Sequence, residues 1–238
     1  MSRFYKNFKK NRGKNKLKKR KNIITVAIDS PAAAGAGTQA KLIAKHYNLL
    51  HLDTGRIYRL IGKLKLENPK KFNYPFIKKK INNLKMSHLK SKKLLSDKVA
   101  TSASIIAKDK KIRNIVHRFQ QRYAYCPPLK YVGSVLDGRD IITVQVKDAM
   151  FKFFITATLK ARAKRRFKEF KSLKKKITYR EVLKSLRNRD KSDRKRKYGP
   201  LKKTKDSILI NTTQLDIKRC FEKIKKIMDK KLKIDGNI

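Results

Sequence analysis

Between residues 23 and 47 the chain reads as a strand, a loop of small residues and a helix in immediate succession, and few architectures accommodate such a junction. Ile23-Ile24-Thr25-Val26-Ala27-Ile28 is a short apolar run rich in β-branched residues, and beyond residue 39 Ala40, Leu42, Ile43 and Ala44 fall at helical spacing. The loop itself, Asp29-Ser30-Pro31-Ala32-Ala33-Ala34-Gly35-Ala36-Gly37-Thr38, has almost no side-chain bulk. Backbone N–H groups and a helix N-terminus presented in this way suit an anion, above all a phosphate. Measured against the pattern G-x-x-x-x-G-K-[ST], Gly35, Gly37 and Thr38 remain, while Ser30 stands at the first glycine and Ala36 at the lysine, and the hydroxyl of Thr38 comes one residue late. Taken alone, the stretch is equally an ordinary tight turn between a strand and a helix.

Three further segments follow in order. Leu52-Asp53-Thr54-Gly55-Arg56-Ile57-Tyr58-Arg59 comes after the first helix, and Leu136-Asp137-Gly138-Arg139-Asp140, with Thr143, Asp148 and Ala149, comes after a second strand-like segment. Arg189-Asp190-Lys191-Ser192-Asp193-Arg194-Lys195-Arg196 then leads to Pro200-Leu201. In this order, over residues 23 to 227, the motifs resemble bacterial cytidylate kinase, a nucleoside monophosphate kinase. The resemblance implies an α/β fold, a P-loop nucleoside monophosphate kinase fold in which a parallel sheet is flanked by helices, over residues 23–238. It also implies a shortened nucleotide-closing insert at about residues 65–98 and a lid region at about residues 170–200.

Carried over residue by residue, the resemblance implies that Thr54, Tyr58, Arg59, Ser104, Arg113, Arg139, Asp140, Arg189, Asp193 and Arg196 hold the acceptor nucleotide. It makes Ser30, Gly35, Ala36, Gly37 and Thr38 the remnant of a donor-phosphate loop. The residue types suit these roles, since guanidiniums grip phosphate oxygens in pairs, Asp140 and Ser104 can read base edges, and Asp193 can accept from ribose hydroxyls. Departures gather on the donor and lid side: Ala36 for lysine, Ser30 for glycine, Ser192 for a lid arginine, Ile142 for a glycine and Lys147 for a proline. Phosphoryl transfer depends on positioning and on cations facing the transferred group, and one such donor is typically worth about 10² to 10³ in rate. The expectation is therefore a catalytically impaired homologue with an intact acceptor cleft.

Charge adds a second line. Lys and Arg number 67 against 17 Asp and Glu, a formal net charge of +50, and self-repulsion at that charge opposes compaction unless a polyanion relieves it. Lysine-favouring mutational bias is the alternative source. Of the carboxylates, Asp29, Asp53, Asp137, Asp140, Asp148, Asp190, Asp193 and Asp206 all lie at motif positions, so acid is sparse mainly elsewhere. Residues 1–22 hold no acid and eleven cations, Arg3, Lys6, Lys9, Lys10, Arg12, Lys14, Lys16, Lys18, Lys19, Arg20 and Lys21, interleaved with Phe4, Tyr5 and Phe8. This basic N-terminal extension reads as an RNA-binding arm or as a transit peptide.

Elsewhere the chain is expected to continue helically over residues 58–64, to become irregular and lysine-rich over 65–98, and to form one helix over 102–123 with Ile105, Ile106, Ile112, Ile115, Val116 and Phe119 toward the core. Residues 131–136, 151–157 and 207–213 read as strands, and 160–176 and 216–233 as helices. Thr213 or Asp216 is the cap of the last helix, and Ile217, Phe221, Ile224 and Met228 its core face. Cys126 and Cys220 stand far apart, and His46, His51, His88 and His117 form no spaced pair, so no metal site is expected. No apolar run reaches membrane-spanning length.

These readings combine into a structural RNA-binding protein, bound as a monomer to rRNA within a mitochondrial or other organellar ribosome and needing no cofactor, with entry of CMP into the cleft left open. The alternative is an active kinase in a bacterial cytoplasm that uses ATP and magnesium to phosphorylate CMP or dCMP. A nucleotide-sensing module that binds without catalysis is a third possibility.

Overall fold

A computed structural model describes residues 23–234. Five strands, β1 (Ile24–Asp29), β2 (Leu49–Asp53), β3 (Gly133–Gly138), β4 (Phe151–Thr156) and β5 (Ile208–Asn211), form one wholly parallel sheet in the order β2-β3-β1-β4-β5. The expected α/β architecture, a parallel sheet flanked by helices, is thus the one observed. Parallel strands covered on both faces must be apolar throughout, and all six residues of β1 are buried. Backbones also approach closely there: a Cβ on Gly133 would lie 1.9 Å from the carbonyl oxygen of Ile24, so only glycine fits where β3 begins beside β1.

Eight α-helices connect and cover the strands among the described residues: α1 (Ala36–His46), α2 (Thr54–Glu67), α3 (Tyr74–Asn82), α4 (Asp97–Ile106), α5 (Lys110–Tyr125), α6 (Leu159–Ser172), α7 (Tyr179–Lys195) and α8 (Ile217–Ile234). One core joins Leu52 and Leu136 of the sheet to Ile57 and Ile61 of α2 and to Val116 and Phe119 of α5. A second joins Ile28 and Phe153 to Ile43 of α1 and to Ile224 and Met228 of α8. A third, smaller cluster packs Ala163 and Phe170 of α6 against Val182 and Leu186 of α7, and it also takes in Ala32 of the loop after β1. That contact ties the α6–α7 hairpin to the loop.

Local chemistry explains where the sequence expectations slip. Residues 65–98 are helical rather than irregular: Asn73 accepts from Phe76 N at 2.9 Å to start α3, with Pro75 in the first turn. Beneath the lysines of this region Ile77, Ile81, Leu84, Leu89 and Leu94 are buried. The single helix expected over 102–123 is two, because the side chain of Asp109 accepts from Ile112 N at 3.0 Å and begins α5 anew. The break turns Ile105 out of the core, leaving it 58% exposed. Asp216, rather than Thr213, caps α8 by accepting from Arg219 N, and Ile217, at the first position of that helix, is likewise exposed.

Candidate active site

The loop after β1 builds its shape from backbone. Gly35 takes φ of 94°, a left-handed conformation open to glycine, and stands at the N-terminus of α1 without a capping side chain. The other seven helices each begin with a side chain that accepts from the first turn: Asp53, Asn73, Ser96, Asp109, Thr158, Thr178 and Asp216. The first turn of α1 is thus open to an external anion. Thr38 is exposed on that turn, whereas Ala36 is buried in the second core and Ser30, also buried, donates its N–H to the carbonyl of Gly138 at 3.2 Å. Asp137 borders the loop, since a Cβ on Gly37 would lie 3.5 Å from Asp137 Oδ2.

Two arginines of α6 brace this loop. Arg162, 5% exposed, donates to the carbonyls of Ala32 and Ala157, each at 3.0 Å, and grips Asp190 of α7 with both terminal nitrogens. Arg165 donates to Thr212 Oγ1 at 2.9 Å, and that hydroxyl donates in turn to the carbonyl of Ala34. These contacts hold carbonyls back from the place where an anion would sit.

Beyond the C-terminal end of β3 lies a second group. Arg139 Nε is 2.8 Å from Asp193 Oδ2, Arg189 Nε is 3.9 Å from the same oxygen, and Arg196 lies 3.9 Å from Asp193 Oδ1. Arg189 keeps 41% of its side chain open, yet desolvation and then the nearby guanidinium of Arg139 push its pKa down to about 10, with Arg59 and Arg166 adding to the effect. Three guanidiniums, those of Arg139, Arg189 and Arg196, therefore lie within 3.9 Å of one carboxylate. Arg59 is anchored by a 2.9 Å bond to the carbonyl of Leu94.

Deeper in the cleft Asp140 is buried between Arg113 and Arg196, the latter at 3.5 Å. The Arg113 guanidinium stands 5.9 Å from the ring centre of Tyr58, whose hydroxyl is buried with no hydrogen-bond partner among the described residues. Thr54 donates to the carbonyl of Asp137 at 2.8 Å. Of the ten residues expected to hold an acceptor, Thr54, Tyr58, Arg59, Arg113, Arg139, Asp140, Arg189, Asp193 and Arg196 thus flank the ends of β2 and β3. Ser104 is exposed on α4 and donates to Ala100 O within its own helix.

Several further groups at the site were given no binding role by the sequence. Asp29, fully buried at the end of β1, accepts from Ile141 N at 2.8 Å and Ile142 N at 3.0 Å. Burial nonetheless pushes its carboxyl up to about 7, the two backbone bonds opposing the rise. His51 pairs with Asp137 at 2.7 Å, and burial followed by that same aspartate raises the carboxyl of Asp53. Alternation along β2 was the only hint that His51 shares the direction of Asp53, residue 51 and residue 53 being two apart.

Comparison with known proteins agrees with this geometry. The sequence model of the family described as Cytidylate kinase matches residues 26–230. The cytidylate kinase of Clostridium botulinum (strain Okra / Type B1) is 36% identical over 218 residues, spanning 87% of this chain and 98% of the relative. That of Thermosipho melanesiensis is 37% identical over 219 residues, spanning 88% and 98%. A crystal structure of an uncharacterized protein from Eubacterium ventriosum shares the fold at a TM-score of 0.50 and 17% identity, over 87% of this chain and 98% of that one.

These likenesses overturn the expectation of a derelict enzyme serving as an RNA-binding, ribosomal protein of a mitochondrion or other organelle: near full-length relatives are kinases named for a nucleotide. The loss of one lysine leaves the loop's backbone shape and its bracing arginines in place, and a net charge of +50 says nothing of which anion meets it. The eleven cations of residues 1–22 lie outside the described residues. Among the described residues no helix is long and apolar enough to cross a membrane, and no group of three or more His, Cys, Asp or Glu could hold a metal.

Proposed function

Because this chain belongs to the cytidylate kinase family, we propose that it transfers the γ-phosphoryl group of ATP to CMP or dCMP, in a bacterial cytoplasm. The observation that carries this reading is the convergence of Arg139, Arg189 and Arg196 on Asp193, with Arg59 and Arg166 near enough to act on the charge of Arg189, next to a phosphate-shaped loop. Three guanidiniums on one carboxylate suit a further anion, and a phosphate dianion relieves their mutual repulsion.

The chain's own groups then divide the work. Arg59, Arg139 and Arg189 seat the acceptor phosphate, Arg113 and Asp140 take the base, and Asp193 and Arg196 face the sugar, while Thr54 and Tyr58 wall the cleft. The acceptor phosphate has its second pKa near 6 and is mostly a dianion at pH 7. It is thus already a nucleophile, and no side chain has to serve as base. Its oxygen forms a bond to the γ-phosphorus as the bond to the bridging oxygen breaks, leaving ADP.

Gly35, Gly37 and the first turn of α1 would take the donor phosphates on backbone N–H groups. Arg162 and Arg165 keep the loop carbonyls turned away. Thr38 and Asp137 border the loop and fit magnesium brought in with the nucleotide, a cation that commonly takes one or two protein oxygens and fills the rest of its shell from phosphates and water. Magnesium when bound neutralises charge on the donor phosphates. Where the pattern has a lysine, Ala36 supplies no charge, and in this reading Arg166 carries that share.

A coupled assay with ATP, magnesium and CMP tests the proposal. Turnover approaching the range of about 1 to 100 s⁻¹ is expected. An enzyme that binds CMP by calorimetry but shows no turnover above the protein-free control would be a nucleotide-binding module instead.

A further inference from the structure

Asp140 is held from behind by a path of side chains that the phosphate cluster does not use. It is 5% exposed and takes Arg113 on Oδ2, and Gln145 Nε2 donates to the same oxygen at 2.9 Å. Gln145, 2% exposed, closes the π-helical turn Ile141–Gln145, and its Oε1 meets Nδ1 of His117 on α5. Orientation along this path follows from donor and acceptor chemistry. An ionised carboxylate only accepts, so the amide turns Nε2 toward Asp140 and Oε1 toward His117. The amide oxygen also only accepts, so His117 carries its hydrogen on Nδ1. Were the amide reversed, two acceptors would face each other at Asp140 in a buried site and that bond would be lost, whichever tautomer His117 took.

We propose that His117 is a positioning residue for recognition of the acceptor base: by locking the amide of Gln145 it fixes the carboxylate of Asp140 toward the nucleotide. The proposal rests on the reading of Asp140 as an acceptor group. His117 itself touches no substrate. Its influence ends at Asp140, whereas the donor loop is braced separately through Arg162 and Thr212. Disturbing His117 therefore weakens acceptor binding and spares the donor.

Calorimetric titration with CMP alone, and steady-state kinetics with each substrate varied, separate these effects in the full-length protein and in His117→Phe, His117→Asn and Gln145→Glu. Phenylalanine keeps the bulk and removes the donor, whereas asparagine offers an N–H near the place of Nδ1. His117→Phe is expected to weaken CMP binding and raise its KM about tenfold, the size of one lost buried hydrogen bond, with the KM for ATP within about twofold. His117→Asn should stay within about threefold of the parent, and Gln145→Glu, which sets a second carboxylate beside Asp140, should lose more than His117→Phe. If His117→Phe does not fold, the contrast between His117→Asn and Gln145→Glu carries the test. A parent that binds no CMP overturns the acceptor reading itself. A parent that binds CMP, with His117→Phe binding equally well, overturns only the role of His117. Equal losses toward CMP and ATP, or His117→Asn failing as badly as His117→Phe, mark a packing role and overturn it too.

Discussion

The guanidinium of Arg162 donates to the carbonyl of Ala32 while gripping Asp190, so one side chain joins the α6–α7 hairpin to the loop after β1. Removing it leaves two carbonyls and a largely buried carboxylate without their partner. Arg162→Ala is expected to destabilise the fold by about 3 to 5 kcal/mol, the usual result of stripping one member from a buried pair. Arg162→Lys keeps the charge but loses the fork, and should raise the KM for ATP more than that for CMP. Thermal unfolding and two-substrate kinetics check both; equal effects on the two substrates would show that Arg162 does not act through the loop.

Ala36 marks the loop's missing cation. Ala36→Lys is expected to lower the KM for ATP and raise kcat by about 10-fold to 100-fold, a little under the usual worth of such a donor because neighbouring arginines already share the charge. The stem would have to thread along the second core, so melting temperature is measured beside kinetics. A folded variant with unchanged kinetics would remove position 36 from the donor site.

Asp29 should leave a signature in stability against pH. Its carboxyl titrates near 7 when folded against 3.8 as the ordinary value, so the folded chain holds this proton more tightly than the unfolded one. Stability from this group is thus full below about pH 4 and is lost as pH rises through about 7. Relative to Asp29→Asn, the parent is expected to lose about 2 to 3 kcal/mol between pH 5 and pH 8. Parallel denaturation curves for the two proteins would refute it.

Arg189 is crowded by like charges and held by one carboxylate at 3.9 Å. Its removal should therefore separate activity from stability. Arg189→Met is expected to cut kcat/KM for CMP by about 10² to 10³ while leaving the melting temperature unchanged or slightly higher. A large drop in melting temperature would make the residue a structural strut.

Much of this was legible in the sequence where chemistry and pattern coincide. The β-branched run before Asp29 and the glycines of the loop gave β1, the turn and α1 to within a few residues. What escaped was decided by contacts distant in the chain. Asp29 is buried only because β1 runs between β3 and β4, and Gln145 reaches Asp140 only because a π-helical turn folds back on it. The break at Asp109 was local and readable as a cap, but the apolar spacing on either side hid it. Composition misled most, since lysines over residues 65–98 sit above a buried row of isoleucines and leucines.

Among the described residues seven α-helices are capped by side chains of this protein, and α1 is left for something else to finish. Its first turn is then a part of the fold supplied from outside. Nucleotide concentration becomes a structural variable: the protein should grow stiffer and melt later as donor accumulates, with amide exchange slowing first at residues 36 and 37.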